Sequence, residues 1–519
     1  MWQKYSVVRL AIPFMTGICG ASLLMEHVTW RPDMLFVVMC CLLMVAVVCH
    51  RVTSHAPLFR HLFAASIFGA FLLVGATIYI IRYNDVATAV HQQQAVFRAA
   101  VVEAPQPKRR TAAVELTTTD GAHLLAYLQT DSAHSPLILQ RGDTLLFSPL
   151  HTNLTCPARC DSVATTPADT SALARYTASL FFRGISATCY VPSQRWSHTS
   201  PAQRDTTWND RLHAYYAHSP LDSTTMSMVE ALTIGRREGL SRQLRNDYSA
   251  AGVAHVLALS GMHLGLLLTL LNFLIFRFLS YEWRQRTMLA VIPLLWVFTY
   301  VAGMPSSLVR ATVMATFLQV GFAFGRQYIV LNALALAAIL MLAADPLQLH
   351  NVGFQLSFLS MLGVALVFKP LFLKSSPSAK YSKPIIPKLL RIVRPCLTLI
   401  MMTVSTTLFT APVVAYHFGQ LPVYSLVTNL VVPPLVMLLM WGAIAWLLLF
   451  WWPEAQAVVA HGLDVLVGVQ NAVVQTIAQW PAATIQLQPT VIVVLLYYLL
   501  LSAALLFLFK YIRSKSLTA

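Results

Sequence analysis

Long apolar runs with almost no charge are the feature that most constrains how this chain folds. Runs of about 17–25 residues match the hydrocarbon core of a bilayer, which is roughly 30 Å thick. Three early runs lie near residues 7–24, 34–49 and 62–81, and the first lacks the clear cleavage site of a signal peptide. Further runs lie near residues 250–276, 288–304, 307–325, 328–344, 351–368, 395–417, 423–450, 457–479 and 488–509. The sequence therefore predicts a polytopic α-helical membrane protein with about 12 transmembrane helices.

Composition excludes a soluble protein. Hydrophobic residues make up 57% of the 519 residues and charged residues only 11%, against roughly 45–50% and about 25% in soluble domains.

The run at 457–479 is the weakest of the predicted spans because it contains several polar side chains. These are His461, Asp464, Gln470, Asn471 and Gln475.

The charge distribution predicts an orientation. The net charge is +16. With the N-terminus inside, the segments on the cytoplasmic side sum to +16 and all others to zero, as the positive-inside rule requires. Both termini and the basic loop 369–394 are therefore predicted to be cytoplasmic. The net charge alone gives no support to a polyanionic partner.

The polar segment after the first three spans is predicted to fold outside the cytoplasm. Short strand-like runs occur at 95–103, 111–118, 122–129, 143–148 and 185–191, with turn signals between the first four. Five short strands suggest a small barrel, for which an OB-like fold is the leading candidate. Residues 224–246 then predict one amphipathic helix at the outer surface, or an ordinary linker helix.

The domain organisation follows from these segments. Three N-terminal transmembrane helices occupy 1–81, the outer OB-like domain 82–220, and the interfacial helix or linker 221–249. The main transmembrane domain spans 250–510, and a cytoplasmic tail spans 511–519.

Three cysteines lie in the outer segment, where the compartment permits disulfides. Cys156, Cys160 and Cys189 predict one disulfide, and the sequence does not choose the pair. No P-loop, H-E-x-x-H, H-x-H-x-D-H or G-x-S-x-G pattern occurs. We therefore expect no metal, no cofactor and no nuclease or ATPase activity in this chain.

Polar residues inside the apolar half mark candidate functional positions, because a buried charge is costly in a membrane. His255, Ser260 and His263 fall within one stretch, 252–265, and are open to two interpretations, interhelical hydrogen bonds or direct chemistry. Arg310 lies one turn into a span, either snorkelling to the interface or facing a polar path. Further polar positions and helix-breaking prolines occur between 345 and 434. They include Asp345, Gln355, His417, Gln420, Asn429, Pro412, Pro422, Pro433 and Pro434.

Several of these strings together resemble the ComEC family of competence proteins. They are Ala231-Leu-Thr-Ile-Gly-Arg236, Gly252-Val-Ala-His-Val-Leu-Ala-Leu-Ser-Gly-Met-His263, Ser307-Leu-Val-Arg310-Ala311, Asp345-Pro346 with Gly353-Phe-Gln-Leu-Ser357, and Asn429 with Pro433. Arg141-Gly142-Asp143 and residues 176–191 are similar to the family's OB-like region. The chain departs from many members at Gly235-Arg236, where they have Gly-Asp.

The resemblance implies an inner-membrane channel of bacteria that moves single-stranded DNA into the cytoplasm during natural transformation. The transmembrane DNA path would include His255, Ser260, His263, Arg310, Gln355 and Asn429. Outer DNA-binding candidates are Arg98, Lys108, Arg109, Arg110 and Arg141, with Tyr127 and Phe147 as stacking platforms.

The resemblance also implies partners. These are DNA, membrane lipid, an outer DNA receptor, a cytoplasmic helicase or single-strand-binding protein, a separate nuclease and further copies of the chain. The chain is similar to a short form that lacks the C-terminal metallo-β-lactamase-like domain. Two other functions stay open. One is an intramembrane hydrolase using Ser260 or His263, and the other is a carrier of a small solute or lipid.

Overall fold

The computed structural model describes residues 5–25, 32–52, 57–88, 96–102, 105–108, 110–131, 136, 139–155, 176–199, 207–278, 281–325, 329–373 and 386–518. The chain divides into two compact units. One comprises Met1–Thr206 with Asn332–Asn351, and the other comprises Thr207–Leu331 with Val352–Ala519. The domain limits drawn from the sequence stay predictions.

The first unit begins with three apolar helices, α1 (Ser6–Leu24), α2 (Pro32–Val52) and α3 (Pro57–Thr88). Glycines let α1 and α3 approach closely. A Cβ atom at Gly17 would lie 1.9 Å from the Leu72 carbonyl oxygen, and one at Gly75 would lie 2.1 Å from that of Phe14. Small residues at helix contacts are typical of packing in membranes.

An eight-stranded sheet follows. Its strands are β1 (Phe97–Val101), β2 (Gln106–Pro107), β3 (Thr111–Thr118), β4 (His123–Gln129), β5 (Thr144–Phe147), β6 (His151–Leu154), β7 (Ile185–Val191) and β8 (Trp196–Thr199). The spatial order is β6-β7-β4-β3-β1-β5-β8, with β2 paired to β3. Among the described strands of this sheet, all pairings are antiparallel except that of β4 with β7. The structure thus confirms the five predicted strands and adds β2, β6 and β8, which are too short to produce a clear alternating pattern.

Aromatic contacts join the sheet to α3 within this unit. The Tyr83 and Phe181 rings meet edge to face at 4.9 Å, and Phe182 stacks on His350 at 4.5 Å. His350 ends a short 3₁₀ segment, Pro346–His350, whose neighbour Asp345 lies 3.7 Å from the Nε atom of Arg82. These contacts hold the short helical segment before β7, residues 176–181, and the turn that follows it against the end of α3.

The rest of the chain is helical. In chain order the elements are α4 (Trp208–Ala217), α5 (Ser223–Thr233), α6 (Arg242–Ala250), α7 (Gly261–Phe278), α8 (Tyr281–Val301), α9 (Ser306–Ala323), α10 (Val330–Ala344), α11 (Val352–Gly363), α12 (Ile386–Phe418), β9 (Gln420–Pro422), α13 (Ser425–Leu448), α14 (Pro453–Ala478), β10 (Thr484–Gln486) and α15 (Val491–Thr518). A π-helical segment, Val364–Leu373, continues α11, and β9 pairs with β10.

The helices fit a polytopic membrane protein. In the described part of the chain, eight helices are long and apolar enough to cross a bilayer, and four shorter apolar helices fall on the other predicted runs. The figure of about 12 spans stays a prediction, because the apolar stretches of the four shorter helices are 10–17 residues long, against about 20 for a full span.

Three expectations about helix limits were wrong. The single helix at 224–246 is two helices, α5 and α6, because Gly235 adopts a left-handed conformation with φ +79° and Ser241 caps α6. The run at 250–276 becomes helical only at Gly261, so residues 251–260 form turns. The prolines at 412, 433 and 434 lie inside continuous helices, and the break falls instead at 419–424.

Three of the five polar residues that weakened the prediction at 457–479 have partners in the fold, namely Asp464, Gln470 and Asn471. Tyr248 is fully buried, and its hydroxyl donates to Asn471 at 2.8 Å while accepting from Gln470 at 2.9 Å. Asp464 accepts from the backbone N–H of Asp222 at 3.2 Å. The polar face of α14 therefore faces other parts of the protein, which is why this helix tolerates it.

Candidate functional site

The segment before α7 ends in a side-chain cap. The Ser260 hydroxyl accepts from the Met262 N–H at 3.3 Å, and the Ser260 N–H donates to Nδ1 of His263 at 3.2 Å. This reciprocal pattern is a capping box in which histidine takes the usual place of Glu or Gln. Because Nδ1 accepts a backbone N–H, we assign the proton of the neutral ring to Nε2. Within the described residues that buried Nε2–H has no acceptor.

The cap changes the interpretation of the two histidines. His255 lies in a 3₁₀ turn, Ala254–His–Val256, and is exposed, whereas His263 is fully buried in the first turn of α7. Both lie in the apolar run at 250–276 that the sequence predicted as one span, but no helix connects them. The Ser260 hydroxyl also lies 3.1 Å from Nδ1 of His263, so the pair is close enough for proton exchange and is also used in capping.

Arg310 lies in the first turn of α9 and is almost completely buried, with 4% of its surface exposed. The side chain therefore does not snorkel to the surface of the protein. Its Nε–H has no hydrogen-bond partner, and no carboxylate of a described residue lies within 4.0 Å of its guanidinium. The guanidinium lies 5.3 Å from the centre of the Phe358 ring. A buried cation without a counter-ion is unusual in a membrane protein.

Three of the motif strings meet around the start of α7. The Ser307 hydroxyl donates to the Leu259 carbonyl at 2.7 Å. The Nη2 atom of Arg310 would lie 3.7 Å from a Cβ atom at Gly261, and a Cβ atom at Gly235 would lie 2.9 Å from the Leu259 side chain. The structure thus brings Ser260, His263 and Arg310 into one neighbourhood. The sequence predicted each of these residues as a path candidate but did not show that they lie close together.

The two remaining path candidates lie on bordering helices. Gln355 is half-buried on α11, one turn before Phe358, which packs under Arg310. Asn429 is half-buried on α13, one turn after Ser425. A Cβ atom at Gly252 would lie 2.6 Å from the Ser425 Cβ, so α13 packs directly on the turns that contain His255.

A polar network beside this neighbourhood was missed by the sequence analysis. His213 lies 2.6 Å from the buried carboxylate of Glu230, and Arg236 pairs with Asp210 at 2.6 Å. Asn209 donates to the carbonyls of Ile234 and Val301 at 2.7 and 3.0 Å. Two sequence features could have indicated this network. Residues 209–213 are mostly polar, and Arg236 replaces the aspartate that many family members have at this position; in the structure Arg236 forms an ion pair with Asp210.

The eight-stranded sheet places some of the predicted DNA-binding residues on its surface. Arg98, Lys108, Arg110 and Arg141 are exposed, and Arg109 lies outside the described residues. The Lys108 ammonium lies 4.4 Å from the centre of the Tyr127 ring. Phe147 is not a stacking platform, because it is buried in the sheet core against Phe97 at 5.6 Å.

A small cavity of about 90 Å³ adjoins Lys108. Its other lining residues include Glu115, Tyr176 and Arg183, and Arg183 pairs with Glu115 at 2.5 Å. The Tyr127 and Tyr176 hydroxyls lie 2.7 Å apart. Burial, together with the hydrogen bond to Tyr127, raises the pKa of Tyr176 to about 12, so its hydroxyl stays protonated.

The disulfide stays a prediction. Cys156 and Cys160 lie outside the described residues, and Cys189 is buried in the sheet core. Burial raises the pKa of the Cys189 thiol to about 12, so this group is neutral at physiological pH. Among the described residues no three His, Cys, Asp or Glu side chains cluster as they would around a metal ion.

Comparison with known proteins gives two matches. The sequence model of the family described as Competence protein matches residues 232–511, more than half of the chain. The chain is 28% identical over 232 residues to ComE operon protein 3 of Bacillus subtilis (strain 168). That alignment covers 44% of this chain and 27% of the relative, so the chain matches little more than a quarter of the relative's length. No solved structure matches the chain.

Proposed function

Because this chain belongs to the ComEC family of competence proteins, we propose that it takes part in DNA uptake as a channel for single-stranded DNA. The strand would pass into the cytoplasm during natural transformation. The observation that supports this most directly is Arg310, a buried cation without a carboxylate partner in the described part of the bundle. An uncompensated charge in a membrane usually marks an ion or substrate pathway.

The chemistry of Arg310 fits a polyanion in transit. Its planar fork of donors matches two phosphate oxygens, which a lysine ammonium does not reproduce. A pore also needs contacts that are weak enough for its cargo to leave. A single arginine above Phe358 provides one such contact. Gln355 and Asn429, on helices that border the neighbourhood, would provide neutral polar contacts along the path.

The outer sheet would receive the DNA. We propose that it is OB-like, and the pairing pattern supports this. The third and fifth of the predicted strands, β4 and β7, pair in parallel within an otherwise antiparallel sheet, and a parallel pair needs a long crossover connection in place of a hairpin. Lys108 places a cation 4.4 Å from the centre of the Tyr127 ring. Such pairs bind single strands without sequence preference.

We place the chain in the bacterial inner membrane with both termini cytoplasmic, supported by the charge distribution along the sequence. The proposal includes an outer DNA receptor, a cytoplasmic helicase or single-strand-binding partner, and a separate nuclease. An intramembrane hydrolase is the second candidate, because Ser260 and His263 are hydrogen-bonded. We prefer the channel because both atoms of that pair are already used to cap α7.

The experiment measures transformation frequency for Arg310→Lys and Arg310→Ala at matched membrane abundance, with DNA binding at the cell surface scored separately. We expect Lys to reduce DNA arrival in the cytoplasm and Ala to abolish it, with surface binding retained. Wild-type transformation by Arg310→Ala would exclude the channel role of this residue. Substrate hydrolysis that disappears in Ser260→Ala would favour the hydrolase.

A further inference from the structure

We infer that the first residues of α7 and the guanidinium of Arg310 together form a binding site for a single phosphate group. The inference rests on the proposed function, since it names the chemical group that the path recognises at this point. Neither the family match nor the sequence motifs assign this site.

The start of α7 provides fixed donors. The helix has 18 residues, and its aligned peptide dipoles place about half a positive charge at the N-terminus. Ser260 caps the Met262 N–H, and the His263 N–H bonds the Ser260 carbonyl. For the Gly261 N–H, no acceptor is found among the described residues. A free N–H at the start of a long helix is a known position for phosphate oxygens.

Arg310 is the independent observation that points to a ligand. More than nine-tenths of its surface is buried, its Nε–H has no acceptor among the described residues, and its Nη2 atom would lie 3.7 Å from a Cβ atom at Gly261, the first residue of α7. Two positive features, a helix N-terminus and a guanidinium, therefore face each other, and no carboxylate of the described chain lies within 4.0 Å of that guanidinium. Such an arrangement is unfavourable when empty and favourable around an anion.

Gly261 lets the start of α7 approach the helix that contains Arg310. A Cβ atom there would lie 3.7 Å from Nη2 of Arg310 and 3.2 Å from the Ala311 Cβ. An alanine methyl group would thus lie against the guanidinium and crowd Ala311, which would hinder an anion from contacting both the Gly261 N–H and Arg310. Gly265, one turn further along α7, has no atom within 4 Å of its Cβ position and provides a matched control.

A phosphodiester suits these donors better than a halide does. The guanidinium fork presents parallel N–H groups that two oxygens of one phosphate accept together, and the helix N–H donates to one of the same two oxygens. Either a nucleic acid strand or a lipid headgroup could supply such a phosphate, and the experiment distinguishes these sources.

The experiment uses the full chain purified in detergent, with dimethyl phosphate as the probe and sodium chloride at equal ionic strength as the reference. We expect saturable thermal stabilisation by dimethyl phosphate in the wild type and in Gly265→Ala. The apparent affinity should fall at least tenfold in Gly261→Ala and in Arg310→Gln, and less in Arg310→Lys. Because Gly261→Ala could fail to fold, line broadening of the probe in ³¹P NMR on the Arg310 variants gives a second readout.

Three comparisons decide the outcome. Absence of stabilisation beyond chloride in the wild type, or equal affinity in Gly261→Ala and Gly265→Ala, would overturn the site. Competition by a short oligothymidylate and not by its methylphosphonate analogue identifies the strand as the source, whereas competition by phosphatidylglycerol identifies lipid. Phosphate binding in a protein whose Arg310→Ala variant transforms normally would preserve the site and refute the proposed function. Absence of phosphate binding in the wild type, together with a loss of transformation in Arg310→Ala, would refute the site and preserve the proposed function.

Discussion

Gly235 offers the sharpest test of how the motif strings are assembled. It lies between α5 and α6 with φ +79°, and its Cα faces the segment that ends in Ser260. A Cβ atom at this position would lie 2.9 Å from Cδ1 of Leu259 and 3.3 Å from the Ala302 carbonyl oxygen. Gly235→Ala therefore combines two costs, a left-handed backbone for a residue with a side chain and a steric overlap.

The size of each cost can be separated with a second glycine. A left-handed conformation costs an L-residue roughly 1–2 kcal/mol, and overpacking a filled site typically costs about 1–3 kcal/mol more. Gly303 has φ +82° and no atom within 4 Å of its Cβ position. Gly303→Ala should thus show the backbone cost alone. We expect the free energy of unfolding to fall by about 2–5 kcal/mol for Gly235→Ala and by about 1–2 kcal/mol for Gly303→Ala.

The assay is reversible unfolding in mixed micelles titrated with SDS and followed by tryptophan fluorescence. Transformation frequency at matched abundance is the second readout. Because Leu259 must move to admit the methyl group, the Ser260 cap moves with it, and we expect the larger loss of transformation in Gly235→Ala. Equal loss of stability in both variants would contradict the packing of Gly235 on Leu259 as the reason for the glycine.

Two further predictions follow from the capping and from the outer domain. His263→Gln should retain the cap of α7, since a Gln side chain accepts the N-cap N–H in ordinary capping boxes. His263→Ala should lower the free energy of unfolding by about 1 kcal/mol. A loss of transformation in both variants with stability intact would assign the imidazole a chemical role. In the outer domain, mass spectrometry under alkylating conditions should find a disulfide within the set Cys156, Cys160 and Cys189. If Cys189 is the unpaired member, its raised pKa predicts slow alkylation in the folded state. It also predicts that the free energy of unfolding falls as pH rises above about 9, where the thiol of the unfolded chain ionises. Three free thiols would refute the disulfide.

The sequence predicted the positions of helices and strands better than the contacts between them. Strands with clear alternation, such as β3 and β7, were located within a residue or two, because one buried face imposes a period of two. The spans were located by their hydropathy. Residues 251–260 were wrongly included in a span, because the run is apolar throughout and hydropathy does not distinguish a turn from a helix.

The candidate site shows the same limit. Arg310 was predictable because a charged residue inside an apolar run is conspicuous. Its burial was not predictable, since snorkelling and burial produce the same sequence. Phe147 was misjudged as a stacking platform because the outward and inward faces of a four-residue strand are not separated by so short a pattern. The ion pair between Arg236 and Asp210 joins residues 26 positions apart, and no local pattern connects them.

The turns at 251–260 are stable beside a membrane only if their backbone groups find partners. The fold provides several of them. Gly252 and Val253 donate to the carbonyls of Ser249 and Tyr248, and Val256 donates to that of Val253. The last two partners come from side chains, because His263 accepts the Ser260 N–H and Ser307 donates to the Leu259 carbonyl. The polar residues of the motif thus have a structural task that needs no ligand. Arg310 has no such task, since its Nε–H bonds no described residue, and for that reason it is the residue on which the functional argument depends.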